Sequence, residues 1–223
     1  MTDDALAHAR KYLAHDLLRL RALPVMDDMP AWLPLAFADA PFAVVRRAQA
    51  PSGYVPVGFR GALRAQRYAG FVAHELIEGA LSPEHLLERP IPAGRSTLKA
   101  FSALQAIVEQ RYLGALLWGP TGSVGFELAA RQPTATATSD LDLLLRTPSR
   151  LPRSNASAMR QQLRRLEEAI DVRIDVQLET PLGGVALSEW ADDKSRVMVR
   201  SAHGPSLVAD PWAADDAPTE ARR

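Results

Sequence analysis

Asp140 and Asp142 stand two residues apart in Ser139-Asp-Leu-Asp-Leu-Leu-Leu145, and side chains at i and i+2 of a strand point to the same face. Two carboxylates so placed repel unless a cation lies between them, and a hard, oxygen-ligated ion such as Mg2+ suits such donors. The alternative is that Asp140 merely ends a loop and Asp142 lies on a solvated face. Leu141, Leu143, Leu144 and Leu145 weigh against it, because they give the strand a buried character in which uncompensated acids are costly. Asp175 adds a third carboxylate on the polar face of Arg173-Ile-Asp-Val-Gln-Leu-Glu179, able to face the first two if the strands pair. Three acids can hold two metal ions ~3.5–4 Å apart for in-line phosphoryl transfer. Asp171 competes as the third acid, although its place at a helix-to-strand junction reads as a turn residue.

Gly122-Ser123 supplies an anion-binding half for such a site. Glycine permits close backbone approach, and successive N–H groups with a hydroxyl can cradle phosphate oxygens. A plain turn is the competing reading. The segment Gly119-Pro-Thr-Gly-Ser123 is not a P-loop, since it lacks the lysine. It is not a hydrolase nucleophile elbow either, because Thr121 stands at the first glycine position. His74-Glu75 has Glu78 where a metalloprotease would need its second histidine, and His8, His15, His85 and His203 have no evident metal or catalytic partner. All five histidines read as structural or surface residues.

These residues need elements to hold them. Ser96 is placed to cap a helix whose apolar stripe is Phe101, Leu104, Val108 and Tyr112, with Gly114 as its end. A strand over Ala115 to Trp118 runs into the Gly119 to Ser123 turn, and after a long polar loop Asp140 to Leu145 forms a second strand. A helix bearing Met159, Leu163, Leu166 and Ile170 follows, capped by Ser154 or Asn155. The third strand is Arg173 to Glu179, where Ile174, Val176 and Leu178 alternate with polar residues.

Upstream, Leu6, Leu13, Leu17 and Leu20 suggest a helical stripe, Phe42 to Val45 and Tyr54 to Phe59 suggest strands, and Ser82-Pro83 suggests a helix start. Pro90, Pro92 and Gly94 punctuate the chain there. The expected fold class is α/β (α+β): a small N-terminal α+β domain over 1–92, an α/β catalytic domain with a short mixed sheet and flanking helices over 93–215, and a flexible tail over 216–223.

Composition limits the function classes. The chain of 223 residues carries 26 basic and 26 acidic side chains, so net charge gives no reason to expect binding to nucleic acid or to an anionic membrane. An apolar fraction of 47% without a membrane-spanning run reads as a soluble protein. The acidic start Met1-Thr-Asp-Asp4 argues against a secretory signal, and the absence of cysteine excludes disulfides, thiol catalysis and cysteine-ligated metal. A cytoplasmic location is expected.

Gly-Ser after a strand, Asp-x-Asp on the next and one further Asp on a third resemble the nucleotidyltransferase superfamily signature, with a longer spacing through Val124 to Ser139. A narrower resemblance covers nearly the whole chain. Trp118 to Leu128, Thr138 to Leu145 and Arg173 to Pro181, with His15-Asp-Leu-Leu18, Val57-Gly-Phe-Arg-Gly61 and Leu207-Val-Ala-Asp-Pro-Trp212, resemble the malonate decarboxylase holo-acyl-carrier-protein synthase family, also called phosphoribosyl-dephospho-CoA transferase.

The resemblance implies a nucleotidyltransferase-like core in the second domain. It also implies transfer of a phosphoribosyl-dephospho-CoA arm from the triphosphoribosyl precursor to a serine of the malonate decarboxylase acyl-carrier protein, with release of pyrophosphate. On that reading Asp140, Asp142 and Asp175 hold two Mg2+ ions, one activating the acceptor hydroxyl and the other neutralising the leaving pyrophosphate. Asp175 also stands to accept the proton, and Gly122 with Ser123 would hold the phosphate tail. Arginines are expected around the triphosphate, with Arg60 first and Arg131 and Arg146 after it, a structural role at a turn being the equal alternative for Arg60. Transfer to another small-molecule or protein hydroxyl would use the same residues. A catalytically silent nucleotide-sensing module would keep the fold, but it would not need the paired acids.

Overall fold

The computed structural model describes residues 12–192 and 194–213. The first part of the chain forms a five-stranded antiparallel sheet, ordered β4-β3-β2-β1-β5. Its strands are β1 (Leu17–Leu20), β2 (Phe42–Val45), β3 (Tyr54–Arg60), β4 (Arg67–Ala73) and β5 (Ile77–Leu81), and one helix, α1 (Leu33–Asp39), lies between β1 and β2. Alternation sorts the faces. Val55, Val57 and Phe59 of β3 are buried with Leu33 in one apolar core, whereas Gly58 and Arg60 face the other way.

Leu17–Leu20 is a strand rather than part of a helical stripe. Leu17 enters one core and Leu18 and Leu20 the other, so the segment is apolar on both faces and its helical spacing is incidental. Leu13 is exposed, and Leu6 lies outside the described residues, as does the expected tail. The segment after Ser82-Pro83 is a short 3-10 turn, Glu84–Glu88.

The second sheet runs β11-β10-β9-β8-β7-β6. It comprises β6 (Trp118–Pro120), β7 (Leu141–Arg146), β8 (Ile174–Thr180), β9 (Gly183–Ala186), β10 (Val197–Ser201) and β11 (Gly204–Val208). Among the described residues only β7 and β8 of this sheet pair in parallel, the other pairings being antiparallel. The helices are α2 (Lys99–Gln110), α3 (Gly122–Ala130), α4 (Arg153–Ile170) and α5 (Leu187–Ala191). Leu141, Leu143 and Leu145 of β7 and Ile174, Val176 and Leu178 of β8 share a core with residues of α2 and α4. The parallel pair needs a crossover, and α4 supplies it. Leu163 and Leu166 are buried, as the stripe predicts.

Helix ends and one whole helix depart from the sequence expectation. α2 begins after Leu98, while Ser96 offers its carbonyl to Ser102 Oγ. It ends on Arg111 in the left-handed conformation instead of on Gly114, and Val108 of its stripe is exposed. α4 starts after Pro152, so Ser154 and Asn155 lie inside it. The expected strand is shifted from Ala115–Trp118 to Trp118–Pro120. The expected turn and polar loop hold α3, a helix with Val124 to Ala129 all buried. A helix apolar on every side carries no amphipathic stripe to betray it. Among the described residues no helix is long and apolar enough to cross a membrane.

Candidate active site

Parallel pairing sets Asp142 of β7 directly beside Asp175 of β8. Neighbouring strands lie about 4.8 Å apart and register partners share a face, so the two acids are neighbours. Asp140 precedes β7, and its charge still reaches Asp142. Asp142 is held above the ordinary carboxylate range, first by burial and then by repulsion from Asp175 and Asp140, while Arg64 and Arg67 pull the other way. The charged form of Asp142 is therefore costly in the fold, as the spacing of the acids predicts.

Two backbone features fix this carboxylate. Thr121 N–H donates to the Asp142 carbonyl at 2.8 Å, and Gly122, at φ 58°, lies so close that a methyl group built on it would strike the Asp142 carboxylate. Only glycine meets both conditions. Gly122 is thus the first residue of α3 rather than part of a loop, and Ser123 follows it in the helix without lining the cleft.

Asp175 Oδ1 accepts from Arg173 Nε at 3.0 Å and Nη2 at 2.9 Å. Among the described residues no three carboxylate or imidazole groups are gathered into a ready-made metal cage. The oxygen-only donor set and the mutual repulsion at Asp142 nonetheless suit a hard divalent cation. Asp171, the competing acid, is the left-handed end of α4, bonded to Lys99 Nζ at 2.5 Å. It is a turn residue.

Asp142 and Asp175 open onto a cleft of about 1170 Å3 between the two sheets, which Asp140 does not line. Arg60 stands opposite them. Its Nη1 donates to the Gly122 carbonyl at 3.2 Å, and its guanidinium lies 5.1 Å from the centre of the Phe126 ring. Burial and then the charge of Arg67 bring its pKa down to about 10, with Asp142 opposing. Arg131 and Arg146, also expected to bind substrate, do not reach the cleft. Arg131 ends α3 in the left-handed conformation and donates to the Pro90 carbonyl at 2.5 Å. Arg146, at the far end of β7, donates to Glu84 at 2.5 Å and to Asp16 at 3.5 Å. Both arginines tie elements together.

Sequence reasoning left His15 among the structural or surface histidines and gave no role to Arg47, Arg95 or Glu127. His15, in the cleft wall, belongs to a seam between the sheets with Arg47, Gln177 and Glu179. The Gln177 amide oxygen accepts from Arg47 Nη2 at 2.6 Å and His15 Nε2 at 2.9 Å, and Arg47 pairs with Glu179. Burial and the charges of Arg47 and Arg146 depress His15 to about 4. Glu127 of α3 accepts from Arg95 Nε at 2.6 Å and from the Thr134 and Ala135 N–H groups at 2.8 Å. It thereby anchors the loop leading to Asp140. None of these partners shares a periodic pattern, although His15 and Asp16 lie in a motif quoted for the family resemblance.

The low pKa of His15 makes stability pH-dependent with a definite sign. The folded state keeps the imidazole neutral, so stability is complete above the unfolded value of 6.5 and falls as pH drops through it toward about 4. The expected loss is on the order of 3 kcal/mol. Melting temperatures from pH 7.5 to 4.5 should fall steeply in the wild type and less steeply in His15→Asn, which tolerates the left-handed φ of 73°. Equal slopes would remove His15 as the cause.

A family model described as the phosphoribosyl-dephospho-CoA transferase MdcG C-terminal domain matches residues 87–211, and one described as the MdcG N-terminal domain matches residues 13–83. Curated relatives named phosphoribosyl-dephospho-CoA transferase include one from Pseudomonas putida, 43% identical over 202 residues that cover 89% of this chain and 94% of the relative. One from Pseudomonas aeruginosa is 41% identical, covering 89% and 92%. One from Azotobacter vinelandii is 40% identical, covering 89% and 93%. No solved structure matches the chain.

Proposed function

The chain belongs to the phosphoribosyl-dephospho-CoA transferase family and is a transferase, and from that premise we propose its donor, acceptor and chemistry. The donor is 2′-(5″-triphosphoribosyl)-3′-dephospho-CoA, and the acceptor is a serine hydroxyl of the malonate decarboxylase acyl-carrier protein. The serine oxygen bonds to the α-phosphorus, the bond from that phosphorus to the β-phosphate bridging oxygen breaks, and pyrophosphate leaves. The observation that carries this reading is the Asp142–Asp175 register pair facing Arg60 across one cleft.

Asp140, Asp142 and Asp175 are the residues to hold Mg2+, in all two ions. When bound, the metal neutralises charge on the transferring and leaving phosphates. The chain supplies the rest. Asp175, with Oδ2 outside its pairing to Arg173, takes the serine proton. The first N–H groups of α3, which have no intrahelical acceptor, and Arg60 hold the phosphate tail. The unit taken to end near Pro92 serves recognition of the donor or carrier.

The test is to incubate the protein with apo carrier, the triphosphoribosyl precursor and Mg2+ and follow the carrier's intact mass. A gain of one phosphoribosyl-dephospho-CoA on serine is expected. An unmodified carrier, or modification only when a nucleoside triphosphate replaces the precursor, would overturn the assignment.

A further inference from the structure

The first sheet places a second group of charges in the cleft. In the β3–β4 ladder Gly58 faces Ala69 and Arg60 faces Arg67. Directly opposed residues share a face, so the two arginines leave the sheet on the same side, and the charge of Arg67 bears unfavourably on Arg60. Among the described residues neither forms an ion pair; their hydrogen bonds go to the carbonyls of Gly122 and of Arg64. Arg46, just after β2, completes the group. Its Cδ lies over Gly58, 3.3 Å from where a β-carbon would sit, and among the described residues it too makes no ion pair.

The result is a floor of Gly58 and Ala69, nearly bare of side chains, rimmed by Arg46, Arg60 and Arg67, all lining the cleft. The carboxylates Asp142 and Asp175 belong to the opposite wall. The buried Nε of Arg60 has no hydrogen-bond partner among the described residues. The charge of Asp142 reaches Arg60 and Arg67 only across the cleft and without an ion pair among the described residues, and cations so incompletely compensated in a cleft mark a binding function. Guanidinium forks match phosphate oxygens two at a time, and a bare floor admits a chain of phosphates between the forks.

We propose that the Arg46–Arg60–Arg67 face of the first sheet is a polyphosphate site, which receives the β- and γ-phosphates of the donor and retains them as pyrophosphate after transfer. The assignment to this donor rests on the function proposed above; the polyphosphate site itself does not. It adds Arg67 and Arg46 to the one arginine of the first sheet that the sequence singled out.

The test is calorimetric titration of the full chain with inorganic tripolyphosphate and pyrophosphate, without metal. Arg60→Ala and Arg67→Ala should each weaken tripolyphosphate binding roughly 10-fold to 100-fold, Arg67→Lys should recover part of that loss, and Arg164→Ala on exposed α4 should change nothing. Arg67→Ala should melt at or above the wild-type temperature, because the like-charge opposition is gone. Unchanged affinity in both alanine variants, or Arg67→Ala losing affinity and melting temperature together, would overturn the site. A wild type that binds tripolyphosphate in this arginine-dependent way but leaves the carrier unmodified supports the floor and removes the donor assignment. Normal donor KM in an Arg67→Ala enzyme that modifies the carrier removes the floor and leaves the function standing.

Discussion

Asp142→Asn is expected to lose carrier modification by at least about 100-fold while melting at or above the wild-type temperature. The two effects have one cause. Asp142 ionises in the fold against burial and against Asp175 and Asp140, so its pKa lies above the unfolded value. Its charge thus costs stability at neutral pH, a cost relieved only as pH falls through the raised value. Asparagine removes the charge with little change of shape and leaves the Thr121–Asp142 backbone hydrogen bond intact. The lost charge is, on the proposed mechanism, the one that holds metal. Initial rates by carrier mass, paired with thermal melting, check both halves. A near wild-type rate would sink the assignment of the acids, and a large drop in melting temperature would recast Asp142 as structural.

Glu127→Ala is expected to produce the largest loss of stability, about 3–5 kcal/mol. Glu127 is 1% exposed yet charged. Burial works against its ionisation, but Arg95 and the Thr134 and Ala135 N–H groups outweigh that and hold its pKa below the usual range. Truncation strands all three donors, and the two N–H groups sit in the loop that delivers Asp140. Glu127→Gln keeps an acceptor oxygen and should cost less. Urea denaturation of the three proteins measures the effect through the midpoint at unchanged slope; a loss below about 1 kcal/mol in the alanine variant would contradict it.

What could be read without coordinates followed physical regularity. β8 announced itself because Ile174, Val176 and Leu178 are buried while Asp175, Gln177 and Glu179 are not, and α4 did so through one apolar face. α3 was illegible, since burial on every side leaves no period. The end of α2 was misread because Arg111 takes the left-handed position usually left to glycine, whereas Asp171, read as a turn residue, does close α4. Within the site, the i, i+2 rule singled out Asp140 and Asp142, of which Asp142 lies on β7 and lines the cleft while Asp140 precedes the strand, and the pairing of Asp142 with Asp175 depends on a register that no local pattern encodes. The same holds for Arg67, which matters only because β4 lies beside β3. Arg131 and Arg146 show the converse: a cation near a motif in sequence can end elsewhere, one closing a helix and the other buried between Glu84 and Asp16.

The single parallel pairing of the second sheet also has a consequence for how the enzyme comes into being. β8–β9 and β10–β11 are hairpins between near neighbours, which close with little loss of chain entropy, whereas β7 and β8 meet only after the whole of α4 has been spanned. The carboxylates resist that meeting, and Leu143 beside Val176 and Leu145 beside Leu178 drive it. On the proposed mechanism catalytic competence is therefore acquired with the least local step of the sheet's assembly. On that reading the return of activity after dilution from denaturant is expected to time the closing of this crossover, and Val176→Ala is expected to slow it if the contact with Leu143 is already formed in the transition state.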